Sequence, residues 1–299
     1  MSDNRIASLD SDWSVFLPDE RAAFALARKL TVEPYTIDDA DVDALRKHFS
    51  DKEIVELVFT IARFNSITRW TDALGIPQDQ GFRDGEIRFD APTSPRFREA
   101  SSLVAPSADQ KRPPLAGRAE VERALTECRK RSARVALPGE DEARAALPSG
   151  WQDRPVPQWV RALTLFPQSG VAQATACEAI ANEGRIDKLL KAQIAWSCAR
   201  QDRAWYALAD AERRLAALGQ PAEQAISLDP PGAALSPAVR EALAFAAKLT
   251  AAPHTIADAD IARLRKHFSD HETAEIVYVA CNSAMFDRFT ETLGLPLEP

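Results

Sequence analysis

The chain has 299 residues, 45% of them hydrophobic and 27% charged, so it is long enough to bury a sizeable core and has a globular composition. Its net charge of -7, from 37 basic and 44 acidic residues, gives no reason to expect a nucleic-acid or membrane partner. The apolar runs are too short to span a bilayer and the polar start lacks the apolar segment of a signal peptide, which predicts a cytoplasmic protein.

The first feature along the chain is an internal repeat. Residues 20–77 match residues 239–296 without a gap, share the run RKHFSD, and both end in Leu-Gly-x-Pro. A match of this length indicates duplication of a structural module. Each copy has turn and capping signals for three helices and no sustained alternation of period two, which predicts an all-α protein.

The helix boundaries in the two copies follow from these signals. The first helix is predicted from Glu20 to Leu30 and from Val239 to Leu249. The second is predicted to start at an N-cap threonine, Thr36 or Thr255, and to end near His48 or His267. A capping box opens the third helix at Ser50 or Ser269, and a glycine ends it at Gly75 or Gly294.

The middle of the chain changes in composition. Residues 78–117 are rich in Pro, Gly and Ser, which favours a linker or an ordered surface arm. Further helices are expected from Arg118 to about Val135 and from Glu140 to Leu147, followed by a proline-opened helix in PVPQWVRALTLFP. The segment SGVAQATACEAIANEG then leads to Glu183.

From the Gly184 turn to Gly219 the composition predicts one long helix, because the segment is rich in Ala, Leu, Lys, Arg and Gln and contains no other Gly or Pro. Steps of three and four residues predict that a set of side chains shares one face of this helix. These residues are Ala195, Cys198, Asp202, Trp205 and Ala209.

The four cysteines lie far apart in the sequence, at Cys128, Cys177, Cys198 and Cys281, with no CxxC and no Cys/His cluster. This spacing argues against a disulfide framework and against a zinc site, and most of the thiols are expected to be packed in the core. Neither a metal nor a cofactor is therefore expected.

The segment from Glu183 onward resembles the carboxymuconolactone decarboxylase and AhpD-like (alkylhydroperoxidase) superfamily, whose motif is E-x11-C-x2-C-x3-H. On this chain the motif positions fall on Glu183, Ala195, Cys198 and Asp202, so the glutamate and the second cysteine are kept. The surrounding AWSCARQDRAWYAL is also similar to a helix of peroxidase-related members. The resemblance implies an AhpD-like helical bundle with 118–299 as a complete domain, 1–80 as a partial repeat and 81–117 as the connection.

The resemblance also implies a chemistry. In complete members a thiolate attacks a peroxide, a second cysteine resolves the sulfenic acid, and the Glu and His relay the proton. With Ala195 in place of one cysteine, oxidised Cys198 would need an external thiol reductant, or Cys177 or Cys281 brought close by the fold. Asp202, one helical turn from Cys198, is expected to raise the pKa of the thiol.

Three functions remain open at this stage. The first is a peroxiredoxin-type oxidoreductase that uses Cys198 with Glu183 as the proton relay. The second is a thiol-independent, lactone decarboxylase-like enzyme in which Glu183 and Asp202 act as general acid and base. The third is a non-catalytic scaffold. The resemblance implies a homo-oligomer, a trimer or a hexamer-like shell.

Overall fold

A computed structural model describes residues 5–6, 8–10, 13–77, 112–221, 225 and 235–298. Within these ranges the secondary structure is helical with no strand, which confirms the all-α class. The α-helices, in chain order, are α1 Pro18–Val32, α2 Asp39–Arg46, α3 Asp51–Ala73, α4 Arg118–Lys130, α5 Glu140–Ala145, α6 Gln158–Leu163, α7 Pro167–Asn182, α8 Lys188–Asp202, α9 Trp205–Ala217, α10 Pro237–Ala251, α11 Asp258–Leu264 and α12 Asp270–Thr292. None of these helices combines the length and apolar character that a membrane crossing requires.

The two copies of the repeat have corresponding helices. The limits of α1 and α3 recur 219 residues later as those of α10 and α12, and α11 is one residue shorter than α2. An ion pair recurs at the same offset, with Lys29 Nζ 2.6 Å from Asp41 Oδ2 and Lys248 Nζ 2.7 Å from Asp260 Oδ2. The repeated sequence therefore forms the same local structure in both places.

The capping boxes that open α3 and α12 are confirmed. The Glu53 carboxylate accepts hydrogen bonds from the Ser50 backbone N–H and hydroxyl at 2.8 and 2.6 Å. Glu272 does the same for Ser269 at 2.8 and 2.7 Å. These reciprocal bonds satisfy backbone donors that the first helical turn leaves without a partner.

The predicted start of the second helix was wrong in both copies. Thr36 and Thr255 lie in short 3-10 turns, where their hydroxyls donate to the carbonyls of Glu33 and Ala252. The helix α2 begins after Asp38, whose carboxylate accepts from the Asp41 backbone N–H. A threonine can also cap a single tight turn, so the residue type alone does not fix the start of the helix.

The two copies pack against each other through antiparallel α3 and α12. The rings of Phe59 and Phe289 lie 6.2 Å apart, and those of Trp70 and Tyr278 lie 5.9 Å apart. At the repeat offset of 219, Phe59 corresponds to Tyr278 and Trp70 corresponds to Phe289. The two ring contacts are therefore related by an approximate internal twofold axis. The N-terminal copy thus packs against its duplicate within the same chain.

The long helix expected up to Gly219 is wrong, because the chain breaks between α8 and α9. Arg203 adopts a left-handed conformation with φ 53°, and the Ala204 N–H donates to the Ala199 carbonyl at 3.0 Å. This is the Schellman arrangement that usually has glycine at the left-handed position. Arg203 is held there by Glu120 at 3.0 Å and by the Pro114 carbonyl at 3.0 Å. Trp205 and Ala209 therefore belong to a different helix from Cys198.

Helix α8 lies in the core and packs against α9, α10 and α12. From Leu190 to Asp202 most of its residues are buried on every side. A helix without a solvent face must satisfy its polar side chains internally, so each buried polar group on α8 has structural or chemical consequences.

The glycines that end α3 and α12 allow a matched test of the fold. Both have positive φ, 58° at Gly75 and 59° at Gly294. A Cβ at Gly75 would meet nothing within 4 Å, whereas at Gly294 it would lie 2.9 Å from Arg134 Cγ. We expect Gly75→Ala to lower the free energy of unfolding by roughly 1–2 kcal/mol through backbone strain. Gly294→Ala should cost more, because Arg134 is held by the carbonyls of the last turn of α12.

Urea denaturation of the two variants measures this difference. Equal losses of stability would contradict the account, because they would mean that the Arg134 side chain moves away freely.

Candidate functional site

The three residues predicted for the site lie in different environments. Glu183 is exposed at the C-terminal end of α7, whereas Cys198 and Asp202 are buried on α8 with relative exposures of 0% and 2%. The backbone carbonyl of Glu183 accepts a hydrogen bond from Lys191 Nζ. Among the described residues, no hydrogen bond or ion pair links the Glu183 carboxylate to Cys198 or to Asp202.

The Cys198 thiol lies at the contact between α8 and α12. Its Sγ is 3.8 Å from the carbonyl oxygen of Ala280, the residue before Cys281. Burial raises the pKa of Cys198 well above its usual value, and Asp287 and Asp202 raise it further, against a hydrogen bond with Thr250 that lowers it. The prediction that Asp202 raises the pKa of Cys198 is correct in direction, but burial raises this pKa more than Asp202 does. The thiol is therefore neutral at pH 7.

The Asp202 carboxylate is shared between two guanidinium groups. Its Oδ1 lies 2.6 Å from Arg112 Nη2, and its Oδ2 lies 2.6 Å from Arg288 Nη1. The side chains of Asp202 and Arg288 are each 1% exposed, and that of Arg112 is 22% exposed. Both oxygens are thus held by short, charge-assisted bonds, which makes this carboxylate a structural bridge between α8, α12 and the segment before α4.

Two buried arginines near this bridge were not predicted from the sequence. Arg288 is 1% exposed and its Nε donates to the Leu30 carbonyl at 3.0 Å. Arg69 is 6% exposed and its Nη2 lies 3.5 Å from the Thr31 carbonyl. The two arginines occupy the same position in the two repeats, but Arg69 reaches the last turn of α1 within its own repeat and Arg288 reaches it from the other repeat. The helix dipole at this end of α1 favours a cation. In the sequence, both arginines begin an Arg-aromatic-Thr triplet at the same position of the repeat, and this recurrence could have identified them.

A second thiol, Cys281, belongs to the same region. Burial raises the pKa of Cys281 to about 12, although nearby Arg69 and Arg288 lower it. Cys281 directly follows Ala280, whose carbonyl contacts Cys198 Sγ, so the two cysteines lie in the same part of the core. All four cysteines are buried and free. Cys281 is one of the two cysteines, with Cys177, that the sequence analysis named as possible partners for oxidised Cys198.

Asp287 completes the cluster on the side of Cys198. The carboxyl is 2% exposed and its Oδ2 has no hydrogen-bond partner within the described structure. Burial, followed by the negative charge of Asp202, raises the pKa of Asp287 well above its usual value, although Arg288 lowers it. The environment of Asp287 therefore favours its protonated form, whereas the Asp202 carboxylate is bound by two guanidinium groups.

Other site types have less support. Within the described ranges no group of three or more His, Cys, Asp or Glu side chains is arranged to hold a metal ion. A shallow groove of about 380 Å³ lies on the outer side of α10, lined by Pro237, Arg240, Glu241, Ala244 and His267. It contains none of the residues predicted for the site.

Comparison with known proteins adds no assignment. No protein-family model matches the chain, and no curated protein matches it significantly.

The two buried aspartates should respond differently to amidation. Asp202→Asn leaves Arg112 and Arg288 facing a neutral group, and we expect it to lower the free energy of unfolding by about 3–5 kcal/mol at pH 7. Asp287→Asn should instead stabilise the protein, because a neutral amide removes the cost of burying a carboxyl whose charged form the fold disfavours. As a control, Asp43→Asn breaks an exposed pair with Arg46 and should change stability little.

The pH dependence gives a sharper test of Asp287. The pKa of an aspartate is near 4 in the unfolded chain and is higher for Asp287 in the fold. The stability linked to this difference is fully present below pH 4 and is lost as the pH rises toward the pKa of the folded state. The advantage of Asp287→Asn over wild type should therefore grow by about 1.4 kcal/mol per pH unit above pH 4 until Asp287 ionises in the folded state. A pH-independent difference in denaturation free energies would mean that Asp287 is ionised in the fold.

Proposed function

We propose that the chain is an AhpD-like protein with peroxiredoxin-type activity, in which Cys281 replaces the missing first cysteine of the motif. The observation that supports this most directly is the contact of Cys198 Sγ with the Ala280 carbonyl at 3.8 Å, next to Cys281. The partner thiol would then come from α12 and not from the position of Ala195 on α8.

The proposed cycle has three balanced steps. The Cys198 thiolate attacks a hydroperoxide, so the O–O bond breaks, an alcohol or water leaves, and Cys198 becomes a sulfenic acid. The Cys281 thiol then displaces hydroxide from that sulfur, forming a disulfide and releasing water. An external dithiol reduces the disulfide and is itself oxidised. We assign this reaction to the cytoplasm, where such reductants are present.

Arg69 and Arg288 have a supporting role in the proposed cycle. Both lower the pKa of Cys281, and Arg288 also binds Asp202. They favour the anion that Cys281 must form for exchange, although burial dominates. The expected reaction is therefore slow, because both thiols are protonated at neutral pH and Cys198 is reached only when α8 and α12 separate locally.

A disulfide assay tests the proposed pair. After hydrogen peroxide treatment, peptide mapping without reductant should detect a Cys198–Cys281 disulfide. Cys198→Ser should abolish peroxide consumption with dithiothreitol as reductant, and Cys281→Ser should leave a sulfenic acid on Cys198 and reduce turnover at least tenfold.

The other two cysteines supply matched controls. Cys128→Ser and Cys177→Ser also remove buried thiols and should keep both the disulfide and the turnover. A disulfide that joins Cys198 to Cys177, or wild-type turnover in Cys281→Ser, would overturn the assignment of Cys281.

The pH profile tests whether the protonated thiol limits the reaction. Because the pKa of Cys198 is raised, its thiolate fraction should increase about tenfold per pH unit between pH 7 and 9 without a plateau. Stopped-flow measurement of the oxidation rate checks this, with free cysteine, whose pKa is about 8.5, as the reference that levels off. A plateau below pH 8 would show that the fold activates the thiol.

A second candidate is a non-catalytic homo-oligomeric scaffold. It is favoured by the use of Asp202 as a structural ion-pair partner at the position that the motif gives to histidine. Phe64 and Ile67 on α3 are also exposed by 62% and 41%, as expected for a surface that meets a second copy. Wild-type peroxide consumption no faster than that of Cys198→Ser, with unchanged oligomeric mass by light scattering, would favour the scaffold over the enzyme.

A further inference from the structure

Three guanidinium groups and two carboxyl groups lie in the described part of the cluster between α3, α8 and α12. Arg112 and Arg288 share Asp202, and Arg69 is within electrostatic range of all three. The second carboxyl, Asp287, is in an environment that favours its protonated form. The guanidinium groups therefore outnumber the carboxyl groups, which is unfavourable in a medium of low polarity.

Arg69 is the cation without a carboxylate of its own. The residue is 94% buried, and within the ranges that the structure describes its Nη1 has no hydrogen-bond partner and its Nη2 has only a long contact of 3.5 Å to the Thr31 carbonyl. The equivalent arginine of the other repeat, Arg288, is fully engaged with Asp202 and the carbonyls of Leu30 and Ala284. The two repeats thus present the same arginine in a paired state and in an unpaired state.

The lack of a partner has an electrostatic consequence. Burial lowers the pKa of Arg69 to about 9, and the positive charge of Arg288 lowers it further, against smaller opposite effects of Asp202 and Cys281. Arginine rarely loses its proton in proteins, so such an environment favours the entry of an anion over deprotonation.

The cluster is connected to the surface through Arg112. Its side chain is 22% exposed, and its guanidinium carbon lies 4.9 Å from the centre of the Tyr35 ring, which is itself partly exposed. Arg112 therefore connects solvent with the buried Asp202, and its charge also acts on Arg69. For an anion that approaches along Tyr35, the attraction of Arg112 opposes the repulsion of Glu33 and Asp202.

We propose that Arg69 is the anchor of a binding site for a small organic carboxylate, buried between α3 and α12 and entered beside Arg112 and Tyr35. The planar guanidinium matches a carboxylate in shape and charge, and the bound anion would supply the hydrogen-bond acceptor that Nη1 lacks. The proposal does not depend on the thiol chemistry, because it requires neither Cys198 nor Cys281 to react.

Thermal unfolding in sodium acetate, compared with sodium chloride at equal ionic strength, tests the site. Acetate should raise the wild-type Tm in a saturable manner, by roughly 5 °C at a hundredfold excess over Kd. Arg69→Met should abolish the shift, and Arg69→Lys, which keeps the charge but loses the planar fork, should weaken it. Arg63→Met removes a guanidinium from the same helix and should keep the full shift.

A direct measurement covers the case in which Arg69→Met does not fold. Line broadening of ¹³C-labelled acetate by the wild-type protein should decrease in Arg69→Lys and keep its full size in Arg63→Met. An acetate effect equal to that of chloride, or equal in Arg63 and Arg69 variants, would overturn the proposal. An Arg69-dependent shift produced by phosphate and not by acetate would overturn the carboxylate class.

Discussion

The bridge from Asp202 to Arg112 and Arg288 is the interaction on which the rest of the structure depends. It joins the end of α8 to α12 and to the segment before α4, and Arg288 extends the link to the last turn of α1 through Leu30. Separate parts of the chain therefore meet at one carboxylate. Asp202 and Arg288 are nearly inaccessible to water, so loss of Asp202 would leave Arg288 buried without its carboxylate, and loss of Arg288 would leave Asp202 with Arg112 alone. Either loss is far more costly than loss of a surface pair.

This bridge also limits the chemistry that the motif helix can perform. An aspartate held by two arginines cannot move freely to exchange a proton, and its negative charge disfavours a thiolate on Cys198. The Cys198 thiol faces α12, where Cys281 follows the contacting Ala280 and is within electrostatic range of Arg69 and Arg288. The described cluster thus combines a structural ion bridge with two thiols of raised pKa and with Arg69, for which these residues provide no ion-pair partner.

Local sequence signals predicted much of the fold and less of the site. The capping boxes at Ser50 and Ser269 and the repeat at a constant offset are encoded by neighbouring residues, so they could be read directly. The break after Asp202 could not, because Arg203 takes a left-handed conformation stabilised by the distant Glu120 and Pro114. The ion bridge depends on residues 86 and 90 positions from Asp202, and no local pattern specifies such a pairing. The exposure of Glu183 likewise follows from the packing of α7 and α8.

The most direct test of the central claim is a double-mutant cycle on Asp202 and Arg288, followed by denaturation at neutral pH. If the two charges stabilise each other in the interior, each single variant, Asp202→Asn and Arg288→Met, should be strongly destabilised. The double variant should then lose less stability than the sum of the two single losses, by about 2–3 kcal/mol. Additive losses, with a coupling energy near zero, would contradict the bridge as the interaction that organises this protein.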